Sequence, residues 1–296
     1  MHTPVLAEEV FEALDFKAGE IFVDATVGSA GHSASVAERT QGAVRIIGLD
    51  ADSAALERAG ERLRLTAVSF HLVNENFRHF GRALDSLGVS RVNKVLFDLG
   101  MSSDQLEKSG RGFSFERDEP LLMTYAASPG PADLTAEKLL ATMSEEALTD
   151  ALFAYGDERY ARRIARAIVE RRRRSPLRTT FDLVRVVRGA VPLSYERGRI
   201  HFATRTFQAL RVTVNDEFRA LADGLKSAFK RLTPRGRLAV IAFHSGEDRI
   251  VKNTFRQWSK AGLAHLVTKK PIGPREDELL QNRRARSAKL RVIEKK

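Results

Sequence analysis

The sequence predicts an open α/β fold, a mainly parallel sheet with helices on both faces, interrupted once by a helical insertion. Three observations carry this. Short β-branched apolar runs alternate with amphipathic stretches as far as Asp98; the strand signal then vanishes between about Glu107 and Phe202; and it returns strongly at Arg237–Phe243 (RLAVIAF). Strands that are apolar throughout and separated by helices are the mark of right-handed βαβ units, whose sheet is covered on both sides. At 296 residues, 43% of them hydrophobic, the chain can bury one large core or two smaller ones.

In chain order, an amphipathic helix is predicted near Val5–Leu14, then strands at Ile21–Ala25, Val44–Leu49, Ala67–Leu72 and Lys94–Asp98. Helices are expected between them at about Ser33–Arg39, Ser53–Leu63 and Phe77–Leu87. The insertion reads as helical and rich in Ala and Arg, as in SEEALTDALFAYG and ERYARRIARAIVERRRR. A helix over Asp216–Arg231 closes on a Thr-Pro-Arg-Gly turn before the returning strand. A further helix near Glu247–Trp258 and extended runs at Ala264–Thr268 and Lys289–Glu294 complete the sheet domain.

Composition removes several classes. With no cysteine there is no disulfide framework, Cys-zinc site or cysteine nucleophile. Glu8 and Glu9 break the opening segment, and no stretch approaches the ~20 apolar residues of a membrane span, so a cytoplasmic protein is expected. The net charge of +11 is unevenly placed. Ala151–Arg211 holds 15 Arg, no Lys and 5 acids, a net +10; Lys269–Lys296 carries +6; the remainder is at −5. Arg rather than Lys favours planar, bidentate partners such as phosphates, so the basic middle segment points to nucleic acid. A run such as Arg171–Arg174 can equally be a solvated helix face.

Candidate chemistry gathers at the predicted carboxyl ends of the strands. The first strand runs into Asp24-Ala-Thr-Val-Gly28-Ser-Ala-Gly31-His32 and a helix. Glycines there let the backbone approach a ligand, and the helix start offers unpaired N–H groups, which together suit a nucleotide-like ligand. No Gly-Lys-Ser/Thr follows, so it is not a P-loop, and the first glycine of G-x-G-x-x-G is missing. Asp50 ends the second strand, 19 residues after Gly31, where an acid either caps the next helix or accepts both ribose hydroxyls of an adenosine. Phe77 is placed to lie against an adenine ring or to pack in the core. Asp98 and the hydroxyls of Ser102 and Ser103 follow the fourth strand, and His244-Ser-Gly-Glu-Asp248 follows the fifth. At that last site Ser245 is the expected helix cap, with a separate role open for His244. The seven histidines show no H-x-x-x-H pair, so no metal is expected, and no G-x-S-x-G elbow signals a hydrolase.

These residues resemble one family, the bacterial small-subunit ribosomal RNA cytosine-N4 methyltransferases known as MraW or RsmH. The resemblance rests on HTPVL at the start, Gly31-His32-Ser33, DLGMSSDQL around Asp98, RGFSFERD from Arg111 and YGDERYARRIARAIVERR from Tyr155. It continues through HFATRTFQALR from His201, VND from Val214, RLAVIAFHSGEDRIVK from Arg237 and RARSAKLRV near the end. It implies a class I (Rossmann-like) S-adenosylmethionine methyltransferase sheet, residues 1–106 with 203–296, and an Arg-rich substrate-recognition domain inserted at 107–202. It implies S-adenosylmethionine contacts at Ala30, Gly31, His32, Asp50, Phe77, Asp98 and Gln105. Asp98 is also the candidate catalytic residue, and Arg171, Arg172, Arg205 and His244 are assigned to the RNA. The chain departs from the family at Ala30, where Gly is usual. It departs again at Glu119-Pro-Leu-Leu-Met-Thr-Tyr-Ala126, where the family typically reads GPLDMRMD and Leu122, Thr124 and Ala126 replace charged residues.

The expected activity is methyl transfer from S-adenosylmethionine to the N4 amine of a cytidine in 16S ribosomal RNA, within a small subunit or its precursor. An enzyme of the same fold acting on a different nucleic acid and a non-catalytic RNA-binding or assembly protein are the alternatives.

Overall fold

The computed structural model describes residues 4–101, 106, 109–126, 129–198 and 200–296. The chain forms two compact units, Met1–Gly100 together with Phe218–Lys296, and Met101–Glu217.

The first unit is built on seven strands: β1 (Ile21–Asp24), β2 (Arg45–Asp50), β3 (Ser69–Asn74), β4 (Val92–Asp98), β5 (Leu232–Ala242), β6 (Ala264–Leu266) and β7 (Lys289–Lys295). Their order is β3-β2-β1-β4-β5-β7-β6. The first five are parallel, and β7 runs antiparallel to both β5 and β6. Neighbouring residues of a strand face opposite sides, so the apolar runs serve two cores. Val23, Ile47, Val95, Phe97 and Val240 pack on one face with Phe80, Leu225 and Phe255. Phe22, Ile46, Leu96 and Ile241 pack on the other with Leu14, Val36 and Leu63. Gly48 in β2 is required by this packing, because a Cβ there would lie 2.7 Å from Leu72 Cδ2 and 2.9 Å from Val27 Cγ2.

Two elements differ from expectation. The predicted Phe77–Leu87 helix is a 3₁₀ turn, Phe77–His79, followed by an α-helix over Phe80–Asp85. The Thr-Pro-Arg-Gly segment does not end before β5 but lies within it, as a bulge: Leu232 pairs with Val92 and Arg237 with Lys94, and Arg235 takes φ +60° to absorb the extra residues. Part of the basic tail is structural. Arg291 of β7 grips Asp248 through two hydrogen bonds of 2.6 and 3.2 Å. Burial would raise the Asp248 carboxyl, yet Arg291 and then Lys289 outweigh it and hold it below the usual range.

The second unit is helical: Ala136–Thr142, Glu145–Gly156, Ala161–Arg174, Thr180–Ala190, Leu193–Glu196 and Thr204–Asn215. Its starts are capped as the sequence spells them, by Thr135 to Lys138 N–H, Ser144 to Ala147 N–H, and a capping box of Thr179 with Asp182. Leu148, Leu152, Ile164, Ile168, Leu183 and Leu210 fill its core. This unit begins at Met101 and runs to Glu217, so it includes the 204–215 helix that the sequence reading gave to the sheet domain. The reason is packing. Gly156 lets the 145–156 helix cross the 204–215 helix so closely that a Cβ would meet Arg205 O at 2.5 Å. Asn215 then ties the end of that helix to Met123 O and Tyr125 N–H.

Candidate functional site

Parallel strands deliver their carboxyl ends to one edge of the sheet, and chain connections leave β1 and β4 in opposite directions there. That edge carries Asp24, Asp50, Asp98 and, just beyond β5, His244.

The turn after β1 is held by strand-end groups. Val27 N–H donates to Leu49 O, Gly28 N–H to Asp50 Oδ2 at 2.9 Å, and Ala30 N–H to Val27 O at 2.7 Å. Gly28 has φ +51°, which favours glycine. Ala30, where the family usually has glycine, takes the left-handed conformation at φ 58° and N-caps the Gly31–Arg39 helix. The backbone geometry that glycine would give is therefore kept, with the Cβ strain of a left-handed alanine.

Asp50 does not cap the next helix. Asp52 does, accepting from Ala54 N–H at 3.1 Å. Asp50 instead accepts from Gly28 N–H through one oxygen and from Asp52 N–H through the other, each at 2.9 Å. Burial lifts its pKa and these two bonds only partly offset that. Each oxygen retains a lone pair, so a ribose can still be held. Phe77 is half-buried, edge-on to Phe97 at 5.6 Å, and packed on Gly224, where a Cβ would lie 3.0 Å from its ring. It serves the core on that side whatever else it touches.

A buried polar cluster links β1 to β4. Asp24 is 1% exposed and accepts from Ser33 Oγ at 2.7 Å and Thr26 N–H at 3.3 Å. Burial pushes its carboxyl up to about 6 against the opposing pull of His32. His32 Nε2 stands 3.5 Å from Asp98 Oδ2, an ion-pair distance longer than a good hydrogen bond. Asp98 N–H donates to Thr26 Oγ1 at 2.7 Å. Asp98 Oδ1 is buried and has no hydrogen-bond partner among the described residues. Sequence reading gave Asp24 no role; its signal was an acid closing an otherwise apolar strand.

His244, and not Ser245, is the N-cap of the Ser245–Lys260 helix. Its Nδ1 accepts from Glu247 N–H at 3.4 Å and its Nε2 lies 3.2 Å from Glu247 Oε1, while Glu247 bonds back to Phe243 N–H at 2.8 Å. The cap is the last residue with extended backbone, and that is His244 at φ −141°, ψ 166°, with Ser245 already in the helix. Nδ1 is taken up by this box, while the buried Nε2 has no hydrogen-bond partner among the described residues.

In the helical unit, Arg171 and Arg172 are half-buried and Arg173 and Arg174 exposed. Arg171 donates to Ser175 O at 2.6 Å, and Arg172 donates to Leu140 O and Met143 O, both at 2.7 Å, closing the end of the 136–142 helix. Arg205 faces the Tyr195 hydroxyl, which is raised by burial and by the nearby Glu158 charge. Tyr195 in turn lies 3.0 Å from the fully buried Glu158 carboxylate. The departing loop is firmly placed. Leu121 and Met123 are buried, Met123 has φ +52°, Arg111 donates to Tyr125 O at 2.7 Å, and Tyr125 OH donates to Glu217 at 2.9 Å. Gln105, Ser102 and Ser103 lie outside the described residues.

Residues 1–296 match the MraW methylase family over the whole chain. The chain belongs to that family. It is similar to the ribosomal RNA small subunit methyltransferase H of Brevibacillus brevis, 41% identical over 309 residues that cover 99% of this chain and 98% of the relative. It is 43% identical to the protein of that name from Symbiobacterium thermophilum, covering 99% and 96%. Among solved structures it is similar to a SAM-dependent O-methyltransferase from Thermotoga maritima, at 8% identity and a TM-score of 0.45, covering 100% of this chain and 67% of that one. As an MraW methylase the protein is an enzyme, and its sheet, with β7 inserted antiparallel between β5 and β6, is that of the class I methyltransferases. Among the described residues no helix is long and apolar enough to cross a membrane.

Proposed function

We propose that this protein transfers a methyl group from S-adenosylmethionine to the N4 amine of a cytidine in small-subunit ribosomal RNA, acting in the cytoplasm on the subunit or its precursor. The observation that carries the reading is Asp98. A carboxylate oxygen buried at the carboxyl edge beside a Gly turn, with no hydrogen-bond partner among the described residues, fits a cationic or N–H-bearing ligand.

The cofactor supplies an electrophilic methyl group on a sulfonium. The residues do the rest. Asp50 would accept from the ribose hydroxyls, the amides at the start of the Gly31–Arg39 helix would meet the ligand's polar end, and Phe77 would flank the adenine. An exocyclic amine is a weak nucleophile because its lone pair is delocalised into the ring, so it needs orientation more than deprotonation. Asp98 accepts one amine N–H and holds the lone pair in line with the methyl. With the cofactor bound, the amine nitrogen would take the methyl group as the sulfonium S–C bond breaks, and the displaced amine proton would pass to solvent water, giving N4-methylcytidine and S-adenosylhomocysteine. The base is unstacked to reach this edge, with the Arg-rich helical unit gripping the RNA backbone.

The test is mass spectrometry of ribosomal RNA nucleosides from cells with and without the gene, alongside calorimetry with S-adenosylmethionine. Loss of N4-methylcytidine on deletion supports the reading. Loss of a different methylated nucleoside redirects it to another target, for which the changed residues Leu122, Thr124 and Ala126 are the first place to look. Absence of cofactor binding overturns it.

A further inference from the structure

The His32 side chain sits where elementary electrostatics disfavours a cation. It is the second residue of the Gly31–Arg39 helix, whose N-terminal dipole repels positive charge, and its side chain is only 6% exposed. Three acids compensate. Asp98 stands 3.5 Å from Nε2, and Asp24 is near enough for its charge to act on the ring, with Glu278 contributing from further along the chain. Burial favours the neutral ring, but Asp98, Asp24 and Glu278 together outweigh it and the imidazole is held above the ordinary histidine range.

The same contacts constrain Asp98 from both ends. Its backbone N–H is fixed on Thr26 Oγ1 and its Oδ2 faces His32 Nε2 at ion-pair distance, while the buried Oδ1 has no hydrogen-bond partner among the described residues and His32 Nε2 has none besides this contact. We propose that His32 is a positioning residue: its side chain holds Asp98 Oδ2 so that Oδ1 is presented to the N–H of the ligand. Asp24, bonded to Ser33 of the same helix, adds a second negative charge that acts on the ring. The identity of the N–H donor rests on the methyl-transfer reading above; the pairing of His32 with Asp98 does not.

Two measurements test this on the full-length protein. The first is NMR of the histidine ring nitrogens across a pH series without cofactor. His32 should remain cationic above the usual histidine range, and Asp98→Asn should bring it down. An unchanged His32 titration in Asp98→Asn overturns the pairing. The second is turnover at saturating S-adenosylmethionine. His32→Leu should lower kcat by about tenfold or more, with a smaller effect on cofactor Kd, and His32→Gln, which keeps a donor, should recover part of it. A merely structural role would lower Tm while leaving kcat per folded molecule and its pH profile as in wild type, and that result overturns the proposal. If wild type methylates no RNA while the NMR coupling holds, the functional reading fails and the positioning of Asp98 stands.

Discussion

Replacing Arg173 and Arg174 with Ser tests RNA binding at the place where the fold interferes least. The four-arginine run is divided by its contacts. Arg171 and Arg172 spend hydrogen bonds on carbonyls of their own unit, whereas Arg173 and Arg174 are exposed at the end of the 161–174 helix. If both exposed guanidiniums contact phosphates, losing them should reduce the slope of log K against log salt by about 1.4 on single-stranded RNA, at ~0.7 per contact. Stability should stay within about 0.5 kcal/mol of wild type, as for other exposed positions. Arg172→Ala is the contrasting control. It removes charge-assisted bonds to two carbonyls and should cost about 2–3 kcal/mol of stability. Fluorescence anisotropy with a small-subunit ribosomal RNA fragment at several salt concentrations gives the slope, and urea unfolding gives the stability. Wild-type affinity and slope in the double variant would reduce the run to a solvated helix face.

Asp50→Ala should raise the S-adenosylmethionine Kd by about tenfold or more, since at least one charged hydrogen bond of ~1.5 kcal/mol is lost; it should also lower Tm, because Gly28 and Asp52 lose their acceptor. An unchanged Kd in calorimetry rejects the ribose role. Asp98→Ala should reduce kcat even at saturating cofactor, and full rescue by saturation would confine Asp98 to cofactor binding. Asp24→Asn tests the buried carboxyl. Lifted from 3.8 to about 6, Asp24 binds its proton more tightly in the folded state, so its contribution is complete below about pH 3.8 and is lost as pH rises through about 6. The full swing is ~3 kcal/mol, of which about 2 kcal/mol falls between pH 4 and 7. The stability of Asp24→Asn relative to wild type should therefore climb by that amount over this range in urea unfolding, and a flat difference refutes it.

Periodicity was enough to read the sheet, because β2, β4 and β5 are buried on both faces and leave an unbroken apolar run. The bulge in β5 was not legible: a Thr-Pro-Arg-Gly string has the same local chemistry whether it closes a turn or loops out of a strand, and only pairing with Val92 and Lys94 decides. At the site, residue types at strand ends pointed to Asp50 and Asp98. Their division of labour with neighbours was hidden. Asp50 and Asp52 are equivalent as candidate caps until the backbone shows which amide each one faces, and His244 is an unusual cap that no propensity favours over Ser245. The Asp24–His32–Asp98 cluster joins residues up to 74 positions apart, so composition along the chain could not reveal it.

The sheet unit is assembled from two stretches separated by the 117 residues of Met101–Glu217. On a ribosome, β1 to β4 emerge first, and the β4 edge that will accept β5 stays open until the helical unit has been made. At about 5–20 residues per second that interval lasts roughly 6–23 s. During it Val95, Leu96 and Phe97 lack their β5 neighbours, and Val95 and Phe97 also lack the 217–231 helix that packs on their face. The helical unit, continuous in sequence and capped from within, is free to fold in that window, while the carboxyl edge of the sheet closes only when the last quarter or so of the chain, Phe218–Lys296, arrives. A nascent chain stalled before Phe218 would therefore hold a finished helical unit and an unfinished sheet with an exposed, apolar strand edge, the part most in need of a chaperone.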